Sequence, residues 1–573
     1  MTRIVAPAWL AARRLRGARA AGLAACFAAG LVCHAAPSSQ PVPPPRLVKH
    51  GTATQLVVDG SPFLVLGGEV GNSSGDAAYL HEFWPSLKAL NLNTLLVPVY
   101  WDRMEPAEGQ FDFGMLDGVV RDARAHGMRL VLLWFGSWKN SMSCYAPAWV
   151  KLDTARFPRA KDSAGRSLEI LSPFSIANRD ADARAFRALM RHVREIDGDR
   201  RTIVMIQFEN EIGMIPEARD RSVAADAAFE EHVPPGLLEH LRRSDDQLAP
   251  ELRSLWAARG RPAAGSWERV FGEGPAASEI FTAWHFAAYT QSVAAAGKAE
   301  YDLPMFVNAA LVRPGYLPGQ YPSGGPLPHL IDIWRAAAPA LDFLSPDIYF
   351  PNFAEWCRRY ARPGNPLFIP EAQRGGEAAV NAMYAVAQHD AIGFAPFGIE
   401  SISGSAGDSL ARSYELLGAL APAILAAQGR GAMAGLLPEL TEQPQPQQVL
   451  LGGYTRRITY ERQVPSVLAD GAAVAGGASA QPAATRPAGG LVMAVGPDEF
   501  LFAGTGITVT FAPAGPAGEI AGILSAEEGT YAGGQWVRRR WLNGDQTHQG
   551  RHVRLEPGRF SAQRVRLYRY HEP

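Results

Sequence analysis

Two acidic side chains follow short apolar runs: Glu211 closes Ile203-Val-Met-Ile-Gln-Phe-Glu-Asn-Glu211, and Glu371 closes Pro366-Leu-Phe-Ile-Pro-Glu371. Such runs read as buried strands, and an acid at the C-terminal end of one lies where a (β/α)8 barrel opens into its cleft. Two carboxyl groups facing across a cleft can divide glycoside hydrolysis between them, one protonating the leaving oxygen and the other attacking the anomeric carbon. At neutral pH the acid must start protonated and the nucleophile ionised, so their surroundings must push the two pKa values apart. Once the attacking carboxylate is esterified its charge is gone, and the acid can turn base and activate water. The plain alternative for either residue is a strand-end ion pair.

Other chemistries are poorly represented. The chain has no His-Glu-x-x-His, no Cys-x-x-Cys and no Gly-x4-Gly-Lys-Ser/Thr. Gly71-Asn-Ser-Ser-Gly75 matches a nucleophile elbow around Ser73, but a loop this rich in Gly and Ser meets that pattern by chance. His329 falls in a loop before the sixth strand, where it either lines the cleft or serves the loop itself. No cofactor and no metal are expected.

Eight segments read as the strands that must position the acids: 63–67, 94–100, 129–134, 203–208, 305–308, 343–349, 367–369 and 392–397. Helical stretches with apolar residues recurring at three and four fall between them, at 78–90, 115–126, 181–196, 277–299 and 377–388. The pattern predicts a single (β/α)8 TIM barrel over residues 50–430, an α/β fold, followed by an antiparallel β-sandwich over 431–573. That second region alternates with period two and is interrupted by a low-complexity surface loop at 469–489. The polar stretch 215–273 follows the strand carrying Glu211 and is expected to wall one end of the cleft.

The N-terminus reads as an export signal over residues 1–36: Arg13, Arg14, Arg16 and Arg19 precede an apolar stretch from Ala20 to Val32 that ends among small residues. A Pro/Ser linker is expected over 37–49, and the mature protein is expected in the periplasm or outside the cell. Formal net charge is −1 over 573 residues, and losing the signal removes five Arg and no acid. The only run of three basic residues is Arg538-Arg-Arg540, so a nucleic-acid partner is not expected. No other apolar run has the length of a membrane span. Cys144 and Cys357, left after removal of the signal, are read as free thiols. Nothing in the sequence sets the oligomeric state.

Gln207-Phe-Glu-Asn-Glu-Ile-Gly213 closely resembles the Gln-x-Glu-Asn-Glu-Tyr-Gly signature of family 35 glycoside hydrolases, the β-galactosidases of clan A, with Ile212 its departure. Trp101-Asp-Arg-Met-Glu-Pro-Ala-Glu-Gly-Gln-Phe-Asp-Phe113 resembles the strand-two region shared by families 35 and 42, and Gly68-Glu69 a first-strand pair of some members. The resemblance implies that Glu211 is general acid/base, Asn210 a ligand of the sugar's 2-hydroxyl and Glu371 the nucleophile. Tyr349 would donate a hydrogen bond to that nucleophile or else serve packing. Glu209 would contact the sugar or support a residue that does. Glu69, Trp101 and Trp138 complete the expected sugar-binding set.

The implied activity is a retaining exo-β-galactosidase acting on terminal β-D-galactosyl groups of oligo- or polysaccharides, such as xyloglucan side chains. Where the family carries Ala-Glu-Trp after strand three, with the Glu helping to hold galactose, this chain has Gly136-Ser137-Trp138. That departure leaves open an α-L-arabinosidase, a β-glucosidase or a β-mannosidase. A non-catalytic sugar-binding barrel would not need both Glu211 and Glu371.

Overall fold

Eight parallel strands close into a barrel in the computed structural model, which describes residues 43–441, 444–461, 487–515 and 518–571. They are β1 (Val65–Glu69), β2 (Thr94–Tyr100), β3 (Arg129–Lys139), β4 (Ile203–Asn210), β5 (Met305–Ala310), β6 (Phe343–Ile348), β7 (Ile369–Ala372) and β8 (Gly393–Pro396). Each expected strand is present, and the sheet runs in chain order with β8 pairing back to β1. The runs are buried throughout and largely apolar up to their C-terminal ends because both faces are covered. Leu95, Val97, Leu130, Leu132 and Ile206 face the helices, whereas Leu96, Val131, Leu133, Val204, Phe306, Phe343 and Phe368 fill the barrel.

The N-terminal end of the barrel is plugged. Arg46–His50, Ala53–Val58 and Ser61–Phe63 form a small antiparallel sheet, and its Leu56 and Val58 join the interior layer. The expected linker at 37–49 is therefore corrected at its end: Arg46 to His50 pair with Ala53 to Val57 across the Gly51 turn, and the backbone groups a linker would leave to water are spent on that pairing. The expected export signal and residues 469–486 of the expected surface loop lie outside the described residues, while Gly489 already opens a strand.

The helical layer includes α1 (Gly114–Ala125), α2 (Ile176–Asp197), α3 (Pro275–Lys298), α4 (Ile331–Ala337), α5 (Ala378–His389) and α6 (Gly404–Ala427). Ser175 caps α2 by accepting from the Asn178 N–H, and Pro275 starts α3 where no donor is needed. By length and composition α6 is apolar enough to cross a membrane, but its Tyr414 is buried with the hydroxyl 2.9 Å from the carbonyls of Gly67 and Phe394, the position of a barrel helix. Cys144 is exposed and Cys357 buried, both as free thiols.

The insertion at 215–273 forms four short α-helices and one 3-10 turn, of which Pro235–Arg243 packs on α4 and Trp267–Phe271 on α3. Trp267 meets Phe281 of α3 edge-on at 5.3 Å, and Asp332 of α4 accepts from the Ala249 N–H at 2.8 Å. The insertion thus thickens the helical layer. The segment reaches the mouth of β4 through the Met214–Ser323 bridge.

Beyond α6 all strands are antiparallel: β9 (Met433–Leu436), β10 (Gln447–Leu451), β11 (Tyr454–Tyr460), β12 (Gly489–Gly496), β13 (Glu499–Thr505), β14 (Ile507–Pro513), β15 (Glu519–Ala532), β16 (Gln535–Trp541), β17 (Val553–Leu555) and β18 (Ser561–His571). A six-stranded sheet, β9-β12-β13-β18-β15-β16, and a four-stranded sheet, β10-β11-β14-β17, share a core of Tyr454, Ile458, Phe500, Phe502, Val509 and Val565. The other face of the larger sheet packs on α5, and its Leu491, Met493, Leu501, Ala503 and Ala562 belong to the same apolar cluster as the barrel.

Candidate active site

At the C-terminal mouth of the barrel the inward positions change from apolar to ionisable. Glu69 ends β1, Lys139 ends β3, Asn210 ends β4 with Glu211 next, Asn308 lies on β5, Asp347 on β6 and Glu371 on β7, and all are buried. One carboxylate oxygen from each of Glu211, Asp347 and Glu371 lies within 4.8 Å of the others. The two acids read from the sequence are therefore brought together.

The end of β4 departs from strand geometry in a way that serves the cleft. Successive side chains of a strand point to opposite faces, so Asn210 and Glu211 could not both face inward in a regular one. Glu209 and Glu211 instead take left-handed backbone angles, with φ of 56° and 46°, a conformation that costs non-glycine residues energy and occurs where surrounding contacts enforce it. Two such contacts are visible: the Glu211 N–H donates to Asn308 Oδ1 at 3.0 Å, and the Glu211 carbonyl accepts from the Ser141 N–H at 3.2 Å.

Glu209 points away from the cleft, which corrects the first of its two readings, a contact with sugar, and matches the second, support of a neighbouring segment. Its carboxylate is fully buried and accepts from the N–H groups of Gly136 at 3.2 Å, Ser137 at 2.8 Å and Trp138 at 2.7 Å, so it holds the end of β3 in place. A Cβ on Gly136 would come within 2.8 Å of that carboxylate and 2.3 Å of Trp134 Nε1, hence glycine there. Asp182 stands behind it, accepting from Trp134 Nε1 at 2.9 Å and Ser137 Oγ at 2.6 Å. Burial, then the charge of Asp182, pushes the Glu209 carboxyl well up, against the pull of the backbone donors. Replacing Glu209 by Ala leaves three buried donors without an acceptor. We expect the unfolding free energy to fall by about 3 kcal/mol or more, measured by denaturant titration; a loss below about 1 kcal/mol would refute this anchoring role.

Electrostatics separate the two acids. Burial, followed by the negative charge of Glu371, raises Glu211 to about 7. Burial also raises Glu371, but Lys139, the Tyr349 hydroxyl and Asn210 all pull it down. Tyr349 donates to Glu371 Oε1, as one of the two sequence readings has it, while Oε2 has no hydrogen-bond partner among the described residues. The Asn210 amide nitrogen satisfies strict hydrogen-bond geometry with no described residue, yet it faces Glu371 closely enough to favour the ionised form. Glu69 is pushed well up, first by burial and then by the charge of Glu371, and Asp347 likewise by burial and by Glu371 and Glu211. The result is an acid poised near neutrality beside a carboxylate that holds the Tyr349 hydroxyl on one oxygen and keeps the other unbonded among the described residues.

Asp347, Asn308, Lys139 and Asn140 are missing from the sequence-derived site. Asn308 Nδ2 donates to Asp347 Oδ2 at 2.7 Å, and Asn140 Nδ2 donates to Glu211 Oε2. The signal for Asp347 and Asn308 was the one that found the acids: a polar side chain closing an apolar run.

Two expected aromatic platforms are corrected. Trp101 is buried, donates to Glu105 at 2.7 Å and meets Trp149 edge-on, so it packs in the helical layer. Trp138 is likewise buried, donating to the Leu171 carbonyl at 3.0 Å and packing against Phe286 and Tyr289. Neither ring has a face left for a sugar. Ser137 also points into that layer, its hydroxyl 2.7 Å from Tyr289 Oη, so this side chain does not stand in the cleft where a lost carboxylate was inferred. The Ser73 hydroxyl lies near Tyr145, whose own hydroxyl donates to the Asn72 carbonyl at 3.1 Å, and Glu400 accepts from the neighbouring Gly71 N–H and Ser74 hydroxyl. His329 sits 2.9 Å from Glu279 and ties its own loop to α3.

Residues 78–240 match the family 42 glycoside hydrolase model, described as β-galactosidase, and residues 410–554 match a domain of unknown function, DUF5597. The sequence resemblance was to family 35; the family model matched is that of family 42, and it spans the Trp101–Phe113 region common to both. Over 82 residues the chain is 37% identical to a β-galactosidase of Xanthomonas manihotis, 14% of this chain and 14% of that protein. Among solved structures, the β-galactosidase of the psychrophilic Marinomonas ef1 is 14% identical, with 64% of this chain and 61% of that one covered at a TM-score of 0.44. The cold-adapted enzyme of Rahnella sp. R3 is 16% identical, with 63% and 56% covered at a TM-score of 0.43. The chain thus spans about one seventh of the curated relative and about three fifths of the first of these structures.

Proposed function

We propose that this protein is a glycoside hydrolase of β-galactosidase type that works by double displacement, with Glu371 as nucleophile and Glu211 as acid, then base. The observation that carries this reading is the pair itself: two buried carboxylates at the ends of strands four and seven, with oxygens within 4.8 Å, of which Glu211 is raised further by the charge of Glu371. Glu371 Oε2 attacks the anomeric carbon while Glu211 delivers its proton to the glycosidic oxygen. When Glu371 is esterified its charge disappears, the Glu211 pKa drops, and Glu211 takes a proton from the incoming water. Retaining pairs stand about 5 to 5.5 Å apart and inverting pairs about 6.5 to 9.5 Å. The close approach of Glu211 and Glu371 leaves no room for a water between nucleophile and sugar, which favours retention.

The finer reading is an exo-acting enzyme that removes terminal β-D-galactosyl groups outside the cytoplasm, from oligosaccharides or from hemicellulose side chains such as those of xyloglucan. It rests on the Gln207–Gly213 signature, which resembles family 35, and on the β-galactosidase model matched by 78–240. Asn210 and Tyr349 remain the candidates for sugar contact at the cleft, with Glu69 behind Glu371.

The test is a panel of nitrophenyl glycosides with the purified protein. We expect kcat/KM to be highest for the β-galactoside, followed by the α-L-arabinopyranoside, and early time-point NMR to give the β-anomer of released galactose. A preference for glucoside or mannoside would remove the galactose assignment. Release of the inverted sugar would remove the double displacement.

A further inference from the structure

The ammonium group of Lys139 enters the cleft beside the carboxylates, and the proposed reaction gives it no role so far. Lys139 is only 6% exposed. Burying a lysine costs free energy unless its donors and charge are compensated. Its Nζ donates to Asn210 Oδ1 at 2.8 Å and to Asn140 Oδ1, and the same Asn140 turns its amide nitrogen to Glu211. Among the described residues, Lys139 makes no ion pair within 4.0 Å. Its compensation is collective, from carboxylates ending several strands and from the Phe135 ring, whose centroid lies 5.4 Å from Nζ.

The backbone fixes this arrangement. The register of β3 shifts between Trp134 and Lys139, which brings Lys139 opposite Asn210. Residues 139–142 then close a tight turn: Lys139 and Met142 exchange both backbone hydrogen bonds, and Asn140 and Ser141 take φ of 48° and 68°. The Asn140 N–H donates to the Asn210 carbonyl at 3.1 Å. The turn is thus clasped onto the two residues that carry the proposed sugar contact and the acid.

We propose that Lys139 is a positioning residue of the active site, which orients the Asn210 amide by holding its oxygen and sets a buried positive charge among the carboxylates at the ends of the neighbouring strands. With Oδ1 held, Asn210 presents only Nδ2 toward Glu371 and a substrate hydroxyl. The groups facing this charge are Glu69 from β1, Glu211 after β4, Asp347 from β6, Glu371 from β7 and, on its own loop, Cys144; Tyr349 meets Glu371, and Glu400 acts on Glu69. Lys139 acts on Glu69, Glu211, Asp347 and Glu371 in the same sense, favouring the ionised form. It therefore sets where on the pH scale the whole carboxylate group works, while the contacts private to Glu371 and Glu211 set their difference.

This inference rests on the proposed hydrolase reading, and its test separates the two. The pH dependence of kcat/KM is measured for the full-length protein and for Lys139→Met, Lys139→Gln and Lys139→Arg, with thermal unfolding midpoints alongside. Removing a nearby charge moves a carboxyl pKa by about 1 unit or more. We expect both limbs of the Lys139→Met profile to move to higher pH by about that amount, with kcat/KM on the acid side about tenfold lower. Lys139→Arg should return the limbs toward their original positions. Lys139→Gln, which keeps a donor for Asn210, should shift the limbs but keep the preference for a galactoside over its 2-deoxy analogue, a preference that Lys139→Met should lose. Unmoved limbs in Lys139→Met and Lys139→Gln would overturn the proposal, as would limbs equally displaced in Lys139→Arg. If Lys139→Met does not fold, the limbs of Lys139→Gln decide. A wild-type protein inactive on every glycoside would defeat the hydrolase reading instead.

Discussion

Glu371→Gln is expected to lower kcat for an aryl β-galactoside by on the order of 10⁴-fold or more, the scale on which loss of a covalent nucleophile acts. The amide fills the same volume, so the unfolding midpoint should stay close to that of the wild type or rise, because a buried carboxylate among Glu69, Glu211 and Asp347 has been neutralised. Glu371→Ala opens space that a small anion can enter. Azide should then attack the anomeric carbon from the vacated side and give a glycosyl azide of inverted configuration. Full activity of Glu371→Gln would end the double-displacement reading, and a retained azide product would exchange the two roles.

Glu211 should give the second-largest effect, with a different signature. General acid assistance contributes about 10²- to 10⁴-fold. Glu211→Gln should therefore slow cleavage of a poor leaving group by that factor and of a nitrophenolate far less, since a good leaving group departs unprotonated. Azide with Glu211→Ala should attack the glycosyl–Glu371 intermediate and give the retained product. The pH profile carries the same assignment. The acid is competent only while protonated, and its pKa is raised to about 7, so kcat/KM should fall as pH rises through about 7 in the wild type. Glu211→Gln has no proton to lose there, and that alkaline limb should vanish; its persistence would place the ionisation on another group.

The barrel was legible in the sequence because parallel strands covered on both faces read as unbroken apolar runs, and turns and amphipathic helices separate them. Glu211 and Glu371 were legible by the same logic, as charges that end such runs. Asn308 and Asp347 obey it too, but each resembles a strand residue with one polar neighbour, and only the closure of the barrel sets them beside the acids. Lys139 was hidden for a different reason: the register shift in β3 breaks the alternation that would tell inside from outside. Trp138 and Glu209 enter the expected sugar-binding set through the family resemblance, and their burial behind the ends of β3 and β4 takes both side chains out of the cleft. An aromatic ring at a strand end is equally suited to stack on a pyranose or to fill the space behind a strand, and composition does not distinguish these. The left-handed angles at Glu209 and Glu211 leave no trace in a sequence of non-glycine residues.

The apolar cluster that runs from the barrel helices into Leu491, Met493, Leu501, Ala503 and Ala562 ties the fate of the catalytic mouth to strands that contribute none of its residues. A protease cut or a stop codon after Gln428 would strip α5 of its cover and expose oily surface beside the last barrel strand. Such a fragment would aggregate, or close its barrel imperfectly, before any question of sugar capture by the β-domain arose. Loss of activity on truncation would therefore carry no information about a lectin-like role for residues 431–573, whereas exchanging exposed side chains on the intact sheet would. For the same reason the ribosome must deliver β18 before the helices around β8 find their full set of neighbours, so the barrel should acquire its working shape only after that strand has emerged.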